Sequence, residues 1–253
     1  MPERDCAIVV PCYNEAARLR ADEFDRFLNS GQAHTVLVFV DDGSRDHTRK
    51  LLDGIQARHP EQAVVLGFPE NRGKAEAVRR GMNYAFKQNF AYAGFWDADL
   101  ATPLNAIAEL VTLLRQNPEL DMVFGARVKL LGRHVDRRAG RHYIGRVFAT
   151  AVSVVLRLPI YDTQCGAKVF RSRPEVRAIF QEPFLSRWIF DVEIIARYIS
   201  AMKSPRAASR GIYEYPLHAW EDVAGSKLKP LDFCVAAYDL FRIRRAYHQR
   251  PMY

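Results

Sequence analysis

No run in the 253 residues reaches the roughly 20 apolar positions that a membrane-spanning helix needs. The longest candidate, Phe148 to Leu158, is interrupted by Arg157, so any membrane contact is expected to be peripheral. Cysteine is scarce as well. Cys6, Cys12, Cys165 and Cys234 show no C-x-x-C spacing, which argues against a zinc site or a disulfide framework and suits reduced thiols in a cytoplasmic protein. The opening Met1-Pro2-Glu3-Arg4-Asp5 runs into an apolar stretch too short for a signal peptide. Neither G-x-G-x-x-G after the first apolar run nor G-x-x-x-x-G-K-[ST] is present, so a dinucleotide fingerprint and a Walker A loop are both excluded. Internal repeats and low-complexity linkers are missing too, which leaves residues 1–253 as one expected domain.

What is present is ordinary in bulk and uneven in charge. Hydrophobic residues make up 49% and charged residues 26%, as in a folded globular chain. Lys and Arg number 37 against 29 Asp and Glu, a net charge of +8 that should attract polyanions. No RNA- or DNA-binding motif accompanies that charge, so phosphorylated ligands or an anionic membrane face are the expected partners, and nucleic acid is not.

Short β-branched runs alternate with helical patterns through the first half, the pattern of βαβ units and a mostly parallel sheet. Strands are expected at Cys6 to Val10, Thr35 to Val40, Ala63 to Phe68, Ala93 to Trp96 and Met122 to Ala126. Ser44 fits an N-cap for a helix carrying Leu51, Leu52 and Ile55, and Thr102-Pro103 fits the cap and first position of a helix through Leu114. Lys74 to Gln88 places Ala75, Val78, Met82, Ala85 and Phe86 on one helical face. In the second half, Arg141 to Leu158, Ser186 to Met202 and Leu231 to His248 read as helices, and Asp162 to Phe170 as a loop and strand. The fold class is therefore α/β, a mostly parallel central sheet flanked by helices.

Ligands of open α/β sheets bind at the carboxyl ends of the strands. Here those ends carry Pro11-Cys12-Tyr13-Asn14-Glu15, Asp41-Asp42-Gly43-Ser44, Asn71-Arg72-Gly73-Lys74 and Asp97-Ala98-Asp99. Two carboxylates one residue apart can hold a hard cation that also takes diphosphate oxygens, as Mg²⁺ or Mn²⁺ prefer. Each piece has a plainer reading by itself. Asp-x-Asp arises by chance on surface loops, Asp41 to Ser44 fits a turn and helix cap, and Asn71 to Lys74 fits a helix start. Their shared position at successive strand ends makes the set stronger than its parts.

These residues resemble the family-2 inverting glycosyltransferases of GT-A fold, within them the dolichyl-phosphate glucosyltransferase and mannosyltransferase group. The resemblance lies in V-P-C-Y-N-E (Val10 to Glu15), V-D-D-G-S (Val40 to Ser44), N-R-G-K-A (Asn71 to Ala75), D-A-D (Asp97 to Asp99) and G-A-R (Gly125 to Arg127). It continues in D-T-Q-C-G-A-K-V-F (Asp162 to Phe170), R-W-I-F-D-V-E-I (Arg187 to Ile194) and G-S-K-L (Gly225 to Leu228), and so runs nearly the full chain. The Asp162 and Arg187 motifs look most like the β-glucosyltransferase branch, which implies UDP-glucose as donor. The resemblance implies that Pro11, Tyr13, Asn14, Glu15 and Asp42 hold the nucleoside, with Asp41 close by and Lys74 near the base or diphosphate. It places Asp97, Ala98 and Asp99 against the sugar and the metal, and Arg127 and Arg141 toward an acceptor phosphate, with Lys168 and Lys227 behind them. Where mannosyltransferases carry a Gln two residues after the second Asp, this chain has Ala101.

Asp191 occupies the place of a general base in relatives that act on hydroxyl acceptors. A phosphate monoester, with a second pKa of about 6, is already largely dianionic at neutral pH and needs little deprotonation. Asp191 and Glu193 then orient Arg187 or Lys168, or serve only as acids in a helix first turn. The basic stretch Arg133-His134-Val135-Asp136-Arg137-Arg138, with Arg141 and Arg146 beyond it, fits a solvated loop or an arm for anionic headgroups or the acceptor phosphate. Arg242, Arg244, Arg245 and Arg250 extend the same charge. The expectation is sugar transfer from UDP-glucose to a polyprenyl phosphate, with residues 1–127 holding the donor and 128–253 the acceptor. The alternatives are a soluble hydroxyl acceptor, a GDP-mannose donor, or a nucleotide-sugar sensor without activity.

Overall fold

The structure is a computed structural model that describes residues 5–30, 35–136, 139–222 and 230–247, excepting the side chains of 136, 139–144 and 230–234. Seven strands form the main sheet: β1 (Cys6–Cys12), β2 (Thr35–Asp41), β3 (Ala63–Gly67), β4 (Tyr92–Trp96), β5 (Met122–Ala126), β7 (Ala167–Arg171) and β8 (Ile212–Pro216). Their order is β3-β2-β1-β4-β7-β5-β8, and only β7 runs antiparallel to its neighbours. The chain builds outward from β1 through β2 to β3, then crosses back to place β4 on the other side of β1. This reversal leaves a crevice beyond the carboxyl ends of β1 and β4, which is where open α/β sheets take their ligands.

The nine helices of the described residues are α1 (Ala21–Asn29), α2 (Thr48–Arg58), α3 (Lys74–Lys87), α4 (Ala106–Gln116), α5 (Ala139–Leu156), α6 (Pro174–Ile179), α7 (Phe190–Ala201), α8 (Pro205–Arg210) and α9 (Pro230–Tyr247). Strand alternation sends successive residues to opposite faces of the sheet. Thus Ala7 and Val9 of β1 join a cluster under α3, α5, α7 and α9, while Ile8 and Val10 join one under α1, α2 and α4. A second small sheet pairs β6 (His134–Asp136) in parallel with β9 (Ala219–Glu221).

The expected strands appear within a residue or two of their predicted limits, but two helices begin later than their cap signals suggested. Helix α2 starts at Thr48 because Asp46 Oδ1 accepts its backbone N–H at 2.9 Å, while Ser44 Oγ is taken by Asn14 N at 3.0 Å. Helix α4 starts at Ala106, not beside Thr102-Pro103. The buried Trp96 needs an acceptor for its indole N–H and takes the Thr102 carbonyl at 2.8 Å, which holds the preceding segment as a loop. In the second half, Ser186 stands off α7 yet its Oγ accepts the Ile189 N–H at 2.9 Å and fastens the helix entrance. The stretch read as a possible solvated basic loop contains β6, and Arg137 and Arg138 lie outside the described residues.

Phe170 on β7 is fully buried, with ring centroids of Phe95, Phe124 and Phe180 at 6.0, 5.9 and 5.5 Å. Truncating such a side chain leaves a cavity that packed neighbours cannot close. Phe170→Ala should lower unfolding free energy by about 3–5 kcal/mol in urea titration; a loss near zero would mean that β7 is not part of the cooperative core.

Candidate active site

Four loops close over the crevice, stitched by side chain to backbone bonds. Asn14 adopts φ 51, a conformation Asn tolerates better than most residues, and its Oδ1 accepts Arg45 N at 2.8 Å. Glu15 N donates to Thr48 Oγ1 at 2.8 Å, and the Glu15 carboxylate binds Arg18, whose Nη2 lies 2.6 Å from Oε1. Asp41 Oδ1 accepts Ser44 N at 3.1 Å. Gly43 has φ +69, and a Cβ there would stand 2.6 Å from Glu70 Cα, so only glycine lets the second and third loops touch.

Asp42 has a task that the sequence did not suggest. It is buried, and its carboxylate accepts Arg72 N at 2.7 Å, Gly73 N at 2.8 Å and Asn71 Nδ2 at 2.9 Å. Burial raises its pKa, against the pull of those donors. Asp42 thereby fixes the loop that launches α3 and aims Lys74. Pro11 and Tyr13 line the same edge, half-buried.

Lys74 Nζ lies 2.5 Å from Asp97 Oδ1, with side chains 40% and 35% exposed. Burial alone would depress the ammonium, but Asp97 and then Asp191 hold its pKa above the ordinary value. Burial likewise opposes ionisation of Asp97, and Lys74, Lys168 and Arg127 outweigh it, so that carboxyl sits below the usual range. Asp99 shifts the other way, raised by burial and by the neighbouring Asp97 charge. Its Oδ1 accepts Ala101 N at 3.1 Å, and Arg20 Nη2 reaches the carbonyls of Asp99 and Leu100 at 3.1 and 2.9 Å. Ala98 is buried between the two acids. Gly166 explains how Asp97 fits: a Cβ there would overlap the Asp97 carboxylate itself.

Lys168 was expected behind the acceptor-facing arginines, and the structure corrects that placement. It is wholly buried in β7, where Nζ donates to Asp191 Oδ1 at 2.6 Å and to the Cys165 carbonyl, between the rings of Phe95 and Phe124 at 5.2 and 5.4 Å. It can reach a ligand only through Asp191. Of the partners considered for Asp191 and Glu193, Lys168 is thus met, whereas Arg187 Nη2 goes to Asn71 Oδ1 at 3.1 Å. Glu193 holds Arg197 at 2.7 Å and the N–H groups of Leu185 and Ser186.

Arg127 follows β5, and its backbone N, Nε and Nη2 all donate to the Asp162 carboxylate at 3.1, 2.7 and 2.7 Å. Its guanidinium also lies 5.3 Å from the centroid of the Trp220 ring. The Asp162 loop is held in turn from β8, where the Glu214 carboxylate accepts Tyr161 N and Asp162 N at 2.8–3.0 Å. Beside it a cavity is lined by Arg127, Arg146, Phe148, Tyr161 and Gln164, with Arg146 stacked 4.0 Å from the Tyr161 ring centroid. The Arg141 side chain and Lys227 lie outside the described residues. Arg18, Gly166 and Glu214 escaped the sequence reading, and Arg146 was read there only as part of the basic arm. Glu15 and Arg18 at i,i+3 spacing were a visible signal for the first; nothing local marked the others.

The described residues contain no group of three or more His, Cys, Asp or Glu that would enclose a metal. Asp97 and Asp99 fit a divalent cation differently, as two hard oxygen donors at an open strand end, with further ligands left to diphosphate and water. The glycine cradle at residue 166 gives Asp97 the space to do so.

A parallel sheet with acidic loops at its switch point and an Asp-x-Asp closing β4 defines a glycosyltransferase of the GT-A type. The chain belongs to glycosyl transferase family 2, whose model matches residues 7–175. It is 31% identical to a dolichyl-phosphate beta-glucosyltransferase of Dictyostelium discoideum, over 95% of this chain and 74% of that protein. A Drosophila melanogaster protein of the same name is 33% identical over 96% of this chain and 75% of its own length. The human one is 31% identical over 97% and 76%. Among solved structures, glucosyl-3-phosphoglycerate synthase from Mycobacterium tuberculosis with Mn²⁺, uridine diphosphate and glucosyl-3-phosphoglycerate gives a TM-score of 0.67 at 17% identity, covering 98% of this chain and 81% of that one. A mannosyltransferase from Pyrobaculum calidifontis with GDP-Man and Mn²⁺ gives 0.58 at 19% identity, over 96% and 61%. At such identities the likeness speaks for the fold.

Two outcomes follow from this geometry. Gly166→Ala should displace Asp97 and weaken Mn²⁺-dependent uridine diphosphate binding about tenfold or more by calorimetry, the scale of a disturbed ligand shell; unchanged binding would show that Asp97 does not need the cradle. Asp191→Asn should strand the buried Lys168 ammonium and cost about 3–5 kcal/mol of stability. Pairing it with Lys168→Met should recover much of that loss in thermal melts, and a double variant no more stable than the single would refute the pairing.

Proposed function

We propose that this chain transfers glucose from UDP-glucose to a polyprenyl phosphate, with inversion and with Mg²⁺ or Mn²⁺ at Asp97 and Asp99. The donor sugar and the lipid phosphate are those implied by the name shared by its relatives, which align over nearly the whole chain. The observation that carries the acceptor half is the Asp191–Lys168 pair. A carboxylate that is buried and committed to an ammonium at 2.6 Å suits a positioning residue better than a base that must collect a hydroxyl proton. A phosphate dianion asks for no such base.

In this reading residues 1–127 hold the donor and residues 128–253 present the acceptor. The loops after β1 and β2 take the nucleoside, and Lys74 exchanges its contact with Asp97 for the diphosphate. A phosphate oxygen of the acceptor attacks the anomeric carbon on the face opposite the diphosphate. The carbon–oxygen bond to uridine diphosphate breaks, its electron pair leaves with the nucleotide, and the product is a β-linked glucosyl phosphodiester. Asp97 and Asp99 would hold a divalent cation, which would supply neutralisation of the charge that gathers on the departing diphosphate. Arg127, held flat by Asp162, and Arg146 offset repulsion between the two phosphorylated substrates. The work is done at a cytoplasmic membrane face, with the chain held peripherally; among the described residues no helix is long and apolar enough to cross a membrane.

The test is a donor panel of UDP-glucose, UDP-galactose and GDP-mannose, each with and without a short-chain polyprenyl phosphate. Lipid-linked glucose should form from UDP-glucose alone, and Asp99→Ala should lower its rate roughly 100-fold or more, the scale of losing one charge-stabilising group. Preference for GDP-mannose, or transfer only to a soluble alcohol, would overturn the assignment.

A further inference from the structure

Helices α5 and α9 touch each other and both rest on α7. Their inner faces, Val152 and Leu156 on α5 and Leu240 and Ile243 on α9, are buried in one apolar cluster. Their outer faces should then be polar, as on any helix that covers a soluble core. They are not. Val147 and Val154, two turns apart on α5, are 73% and 72% exposed, and Val235, Tyr238 and Phe241 form an exposed stripe at one-turn spacing on α9.

Among the described side chains, the exposed charge on these two helices has one sign. Helix α5 holds no acid, and α9 holds Asp232, whose side chain lies outside the described residues, and Asp239, which is buried and bonded to Ser186 Oγ at 2.7 Å. The exposed ions are cations: Arg157 just after α5, and Arg244 and Arg245 in the last turn of α9. Two adjoining outer helix faces whose described exposed charges are all cationic make a surface complementary to anions and to apolar matter together. A second copy docked here would oppose arginine to arginine, whereas an anionic bilayer accepts the aliphatic and Tyr side chains at its boundary and the arginines among its headgroups.

We propose that the outer faces of α5 and α9 are a docking surface for an anionic lipid bilayer. The proposal rests on the polyprenyl-phosphate reading for its purpose but not for its evidence. Helix α5 also lines the cavity beside Arg127 through Arg146 and Phe148, so one helix faces the membrane and walls the acceptor side. A lipid-borne phosphate then enters that cavity while its hydrocarbon tail stays in the bilayer.

Co-sedimentation of the full chain with vesicles of phosphatidylcholine, alone or mixed with phosphatidylserine, tests this. The wild type should bind the mixed vesicles, release as salt screens the arginines, and bind phosphatidylcholine alone far less. Val154→Asp combined with Phe241→Asp should weaken binding to the mixed vesicles about tenfold or more, both sites being exposed and the fold checked by thermal melting. Arg244→Glu with Arg245→Glu should do the same through charge alone. Absence of wild-type binding, or variants that bind equally well, would overturn the surface. So would a wild-type dimer in light scattering that the Val154 and Phe241 changes dissolve, since the face would then belong to a second copy. Transfer to a water-soluble short-chain polyprenyl phosphate should survive in all variants. If the wild type itself lacks that transfer, the functional reading fails while the vesicle result still decides the surface.

Discussion

A single buried ammonium organises this molecule. Lys168 stands on β7, between β4 and β5, where its Cα neighbours are Phe95 and Phe124. A charge so placed is costly unless paired, and the pairing partner, Asp191, comes from the first turn of α7 on another layer. The bond therefore ties sheet to helix at one point. It also sends a positive field upward: Lys168 is among the charges that keep the Asp97 carboxyl ionised at the end of β4. The antiparallel strand, unusual in an otherwise parallel sheet, is what delivers Lys168 and Gly166 to the same small region.

Around that point the site is built from backbone-directed bonds more than from free side chains. Asp42, Asn14, Asp162 and Glu214 each spend their oxygens on N–H groups of a neighbouring loop. The result is a rim whose shape is set before any ligand arrives, as preorganised charge stabilisation requires. Lys74 and Asp97 are the exception. Their contact joins two partly exposed groups of opposite charge at the open strand end.

The parallel half of the fold was legible because β-branched runs and helical stripes alternate there without interruption, and because loops of acids and glycine mark each strand end. Helix starts were less legible. Ser44 and Thr102 look like caps, but Asn14, thirty residues away, claims the first hydroxyl, and the buried Trp96 indole claims the second residue's carbonyl, a demand set by core packing rather than by the local cap pattern. Strand β8 carries exposed and half-buried residues on an edge, so its sequence lacks a clean alternation. Within the site, the motifs after β1, β2 and β3 and Asp97 after β4 were readable as residue types at strand ends. The role of Lys168 was half legible: the sequence offers it beside Arg187 as a partner for Asp191 or Glu193, but which of them is met depends on how α7 packs against the strand. Gly166 was hidden for the same reason: its need arises from the side chain of Asp97 on a neighbouring strand.

The proposed transfer uses a phosphate oxygen as nucleophile and inverts the sugar carbon. The product itself records both. Phosphorus and proton NMR of the compound formed from UDP-glucose and a short-chain polyprenyl phosphate should show one phosphodiester joined to the sugar through a β-anomeric bond. An α-linked product, or free glucose released with uridine diphosphate while the lipid phosphate stays unmodified, would contradict it.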